Sequence, residues 1–114
     1  MMPLEFNGDF TIEQIFIDYK KEIYKNVLKS IKENYRKLEK NKINVVEIHI
    51  HTNTGGSYTK KIDKYKIDLS RNKFIVTLNS CIEFFEGLEE YELCQECLNI
   101  INEIQNNKKN KLTA

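Results

Sequence analysis

The chain has 114 residues, of which 40% are hydrophobic and 31% charged, with a formal net charge of +1. That balance excludes a disordered polyelectrolyte, and the length suits one domain that buries a modest core without staples. No apolar run approaches the roughly 20 residues that span a bilayer. The first residues lack the basic and apolar regions of a secretory signal. Three cysteines cannot close an even disulfide framework. The expectation is a soluble cytoplasmic protein, away from membranes, with reduced thiols.

Residues 1–10 read as a lead-in, 11–105 as a single α+β domain, and 106–114 as a flexible polar tail. Thr11-Ile12-Glu13-Gln14 fits a capping box, in which the Thr11 hydroxyl accepts from the Gln14 N–H and the Gln14 side chain answers Thr11. Phe10 and Ile15 stand at the two positions of a hydrophobic staple. Apolar residues then recur at three- and four-residue steps without Gly or Pro, which predicts a helix over 11–39. Its apolar stripe is bent. Ile12, Phe16, Tyr19 and Ile23 share one sector, while Tyr24, Val27, Ile31 and Tyr35 lie round the axis. A curved helix accounts for this, and so does a helix that also meets a second copy of itself.

Alternation predicts a strand over 43–51, with Val46, Ile48 and Ile50 on one face and Glu47, His49 and His51 on the other. Gly55-Gly56 marks a hairpin turn, and the returning strand spans 58–69. A two-residue loop would set Ile48 opposite Asp63 and Ile50 opposite Lys61, so a bulge near Asp63-Lys64 or a longer loop is expected. Ser70-Arg71-Asn72 reads as a second turn before a third strand over 73–78. Residues 88–105 form an amphipathic helix. It starts either at a capping box of Ser80 with Glu83, or after Gly87, which would divide a short segment from the main helix. The predicted fold is α-β-β-β-α: a long N-terminal helix, a three-stranded antiparallel β-meander and a C-terminal helix, with the helices on one face of the sheet.

Several residue groups suggest chemistry. Cys94-x-x-Cys97 has a zinc or redox spacing, but both cysteines sit inside a helix on its apolar side, where thiols pack as small hydrophobes. His49 and His51 share one strand face with Glu47, a weak pattern for metal binding that also suits a partner contact. Gly55-Gly56 lacks the spacing and following helix of a phosphate-binding loop. No cofactor is implied, no catalytic residue is identified, and an enzyme built on Glu47, His49 and His51 is the faintest reading.

Charge is the strongest remaining signal. Residues 20–73 carry 15 Lys or Arg against 6 acids, whereas 79–107 carry 7 Glu and no basic residue. Phe84, Phe85, Leu88 and Tyr91 interleave with carboxylates and, with Glu89, Glu92 and Glu96, suit a protein partner with a basic surface. The competing account is that the acidic helix neutralises the basic first helix within the chain. Lys60, Lys61, Lys64 and Lys66 would instead serve a nucleic-acid-binding hairpin. The leading expectation is a non-enzymatic protein-binding domain that blocks or neutralises a macromolecule, in the manner of an immunity protein, an antitoxin or a phage-type inhibitor. The alternative is a nucleic-acid-binding module, and a homodimer through the first helix remains open.

Overall fold

The computed structural model describes residues 3–53 and 60–113, the last six of these in backbone only. The lead-in contains a strand, β1 (Leu4–Asn7), followed by α1 (Ile12–Asp18), α2 (Lys20–Asn34), β2 (Lys42–Asn53) and β3 (Lys60–Ser70). A 3-10 turn at Arg71–Lys73 leads into α3 (Phe74–Gly87) and α4 (Tyr91–Thr113). The protein is α+β, as its patterning predicts, but the sheet is mixed and not an antiparallel meander. Its order is β1-β2-β3, with β1 parallel and β3 antiparallel to β2. Parallel neighbours need a crossover, and α1 with α2 supplies it.

The first helix is broken, where a continuous one was expected over 11–39. Tyr19 takes φ −119° and ψ 34°, which ends α1 and begins α2. The break lets the two apolar sectors face different neighbours. Tyr19 joins Phe6 and Phe10 in an aromatic cluster at one end of the sheet, with ring centroids 4.7 Å and 6.2 Å away. Ile23, Leu28, Ile31 and Tyr35 are buried in the main core. The Thr11 cap forms as predicted, its hydroxyl accepting from the Gln14 N–H at 3.1 Å. The Gln14 side chain, however, donates forward to Asp18 at 2.7 Å and not back to Thr11.

In the hairpin Ile48 faces Tyr65 and Ile50 faces Asp63, a register two residues beyond that of a two-residue loop. The predicted Gly55-Gly56 turn itself lies outside the described residues. The bulge falls on β2, between Asn44 and Val46, and not near Asp63-Lys64. It leaves Val45 without an opposite residue, and the buried Ser30 hydroxyl of α2 donates to the Val45 carbonyl at 3.1 Å. A buried backbone acceptor freed from its ladder is thereby satisfied by the helix above it.

The third predicted strand, 73–78, is helical. Phe-Ile-Val-Thr-Leu has strand-like composition, but Phe74, Leu78, Cys81 and Phe85 recur at helical spacing and are all buried. Cys94, Cys97, Ile100 and Ile101 of α4 complete that part of the core. The C-terminal segment is therefore a pair of helices, divided where Gly87 suggested. The dividing turn is a Schellman motif: the Glu90 N–H donates to the Phe85 carbonyl at 2.8 Å and the Glu89 N–H to the Glu86 carbonyl at 3.0 Å. Its left-handed position is occupied by Glu89, with φ 59°, and not by the glycine two residues earlier. A non-glycine residue there costs about 1 kcal/mol relative to glycine. The backbone of α4 continues through Thr113, beyond the point where a polar tail was predicted.

Candidate functional site

Basic and acidic helices meet within the chain. Lys21 pairs with Glu90 at 2.9 Å, Lys32 with Glu96 at 2.9 Å, and Arg36 with Glu103 at 3.0 Å, joining α2 and the turn after it to the α3–α4 turn and to α4. Tyr35 adds a hydrogen bond from its hydroxyl to Glu103. Glu96, a predicted partner contact, is thus engaged internally. Hydrogen bonding from Lys21 holds the Glu90 carboxyl below its ordinary range. Arg36, then Tyr35, do the same for Glu103. The hydrogen bond to Glu96 raises the Lys32 ammonium.

These pairs have a pH consequence. A carboxyl depressed on folding contributes stability above its unfolded value, and that contribution is lost as pH falls through the folded one. Below about pH 5 the melting temperature of the wild type is expected to fall more steeply than that of Glu103→Gln, so that the two curves converge in acid. Thermal unfolding followed by circular dichroism across that range measures this. Parallel curves would contradict a stabilising Arg36–Glu103–Tyr35 contact.

With those charges absorbed, the acidic residues around the α3–α4 turn stand out. Glu86, Glu89 and Glu92 are exposed and flank two exposed apolar side chains, Leu88 at 46% and Tyr91 at 63%. The neighbouring aromatics serve a different purpose. Phe85 is buried, and Phe84 is half-buried, stacked on Tyr24 with centroids 4.4 Å apart. Of the predicted apolar anchor of Phe84, Phe85, Leu88 and Tyr91, Leu88 and Tyr91 reach the surface. The Schellman turn pushes Leu88 outward while its backbone N–H returns to Phe85.

The second surface is the outer face of the sheet. Opposite residues in a ladder share a face, so His49 lies beside Glu5 and Lys64, His51 beside Asn7 and Ile62, and Glu47 beside Lys66. Glu5 was not foreseen, although the alternation Leu4-Glu5-Phe6-Asn7 carries its parity. Its Oε1 lies 3.3 Å from His51 Nε2 and 3.8 Å from His49 Nδ1, while Glu47 approaches His49 Nε2 at 3.6 Å. That His49 nitrogen is enclosed, with no hydrogen bond among the described residues. Among the described residues no group of three or more His, Cys, Asp or Glu is arranged to hold a metal ion. Lys60, Lys64 and Lys66 share this outer face, whereas Lys61, opposite Thr52, has the other parity. The face is therefore mixed in sign, and Glu47 lies 3.7 Å from Lys66.

The cysteines belong to the core. Cys81 and Cys97 are fully buried and Cys94 nearly so. A hydrogen bond with Cys97, together with burial, pushes the Cys81 thiol far above its ordinary value, and burial raises Cys94. Neither supplies the exposed thiolate that exchange chemistry requires. An apolar groove of about 600 Å³ opens between the end of α2 and the start of α3, lined by Tyr35, Leu38, Phe74, Ile75 and Ile104. Arg71 also lines it, but its guanidinium is spent on backbone carbonyls. Among the described residues no helix is long and apolar enough to cross a membrane. Comparison with known proteins finds no matching family model, no matching curated protein and no matching solved structure.

Proposed function

We propose that the chain is a non-enzymatic protein-binding domain whose α3–α4 turn engages a basic surface on another protein and blocks it. The supporting observation is the turn itself: Leu88 and Tyr91 project to solvent within a rim of exposed glutamates. An aromatic anchor supplies affinity, and the carboxylate rim accelerates encounter with a cationic partner. Glu89 strengthens the reading. It keeps a carboxylate at a left-handed position where glycine would be less strained, and strain of that kind concentrates where a surface is used.

The test is affinity capture from the source cell, comparing the wild type with Tyr91→Ala, with Glu89→Lys/Glu92→Lys, and with Lys64→Glu on the sheet face as a control. A partner retained by the wild type and by Lys64→Glu, but lost from both turn variants, supports the proposal. Retention by every variant argues against it. The alternative use of Lys60, Lys64 and Lys66, which share one face, is a nucleic-acid contact. It requires salt-sensitive retention on immobilised DNA that Lys60→Glu/Lys64→Glu abolishes.

A further inference from the structure

The sheet ends on β3, which has no neighbour on its outer side among the described residues. At 11 residues it is a long edge, and a long unpaired edge is a template for another strand. It contains no proline, and among the described residues the one irregularity of the hairpin lies on β2. Its helix-side residues are incompletely covered: Tyr65 is 37% exposed although Ile48 opposite it is 0% exposed. We infer that β3 pairs antiparallel with β3 of a second copy, about a two-fold axis at Ile67, to form a continuous six-stranded sheet.

The charges of β3 select that register. A two-fold pairing must keep outer-face residues opposite outer-face residues, so the axis passes through one residue of the strand. An axis at Lys61, Asp63, Lys64, Lys66 or Asp68 sets a charge against itself. An axis at Tyr65 opposes Lys64 to Lys66 twice, and one at Ile62 opposes Lys60 to Lys64 twice, cancelling its two Lys61–Asp63 attractions. An axis at Lys60 likewise sets a charge against itself, and one at Leu69 or Ser70 leaves almost no overlap among the described residues. At Ile67 every opposition is favourable or neutral. Ile67 meets itself, Tyr65 meets Leu69 of the second copy, Lys66 meets Asp68 of the second copy, and Lys64 meets Ser70 of the second copy. The lysines that protect this edge from indiscriminate pairing thus leave one self-complementary register. This interface is separate from the α3–α4 turn and does not depend on its function.

Light scattering during gel filtration of the full chain is expected to give twice the 13.6 kDa chain mass at high concentration. Lys66→Asp converts two symmetry-related attractions into repulsions and is expected to weaken association about tenfold or more. Lys66→Asp/Asp68→Lys restores the cross-copy oppositions in reverse while giving up the exposed Lys66–Glu47 and Lys42–Asp68 pairs within each chain, and is expected to associate more tightly than Lys66→Asp alone. A monomeric wild type, or a dimer that Lys66→Asp leaves intact, overturns the inference. Hydrogen exchange on the unmutated chain gives a second measure: protection of amides 64–70 is expected to rise with concentration, and concentration-independent exchange there also overturns it.

Discussion

Phe85→Ala is expected to destabilise the protein by about 4 kcal/mol, a large part of the total for a domain of this size. The ring is fully buried in α3 and touches both neighbouring aromatics edge-on, at 6.4 Å to Tyr24 and 5.8 Å to Phe84. Truncation removes the apolar transfer energy and opens a cavity at the junction of α2 and α3, which cannot collapse without disturbing the Tyr24–Phe84 stack. Chemical denaturation measures the loss. A change below about 1 kcal/mol would mean that the side chain is not enclosed as described.

Arg71→Ala is expected to cost about 3 kcal/mol. The guanidinium donates through Nε to the Lys40 carbonyl at 2.9 Å, through one terminal nitrogen to the Tyr35 carbonyl at 2.9 Å, and through the other to the Lys37 carbonyl. A helix end leaves its last carbonyls without partners, and this one side chain gathers three from the exit of α2 and the loop after it. Its guanidinium carbon also lies 5.2 Å from the centroid of the Phe74 ring. Lysine has no planar fork to span three acceptors, so Arg71→Lys is expected to recover less than half of the loss. Full stability in Arg71→Lys would show that charge alone matters at this position.

Much of the architecture was legible because it rests on local pattern. The Thr11 cap, the parity of β2 and the apolar placement of the cysteines follow from spacing along one element. The segment 73–78 was misread because five apolar and β-branched residues carry no period of their own; the helical repeat emerges only when Cys81 and Phe85 are included. β1 was missed because four residues acquire their structure from pairing with β2, more than 40 positions away. The fate of the acidic stripe was undecidable from sequence, since it depends on how α2 lies beside α4. The structure divides it: Glu90, Glu96 and Glu103 face cations of α2 and the turn after it, while Glu86, Glu89 and Glu92 face solvent. That division shrinks the candidate acidic surface to one turn, removes Phe85 from it, and leaves Leu88 and Tyr91 as its exposed apolar residues.

The most direct test of the proposed function is the affinity of the captured partner for Tyr91→Ala, measured by titration calorimetry beside the wild type. Tyr91 is largely exposed, so its removal leaves the fold intact, and as the anchor of the interface it is expected to weaken binding by about 2 kcal/mol, roughly thirtyfold. Unchanged affinity would place the binding surface elsewhere and contradict the account.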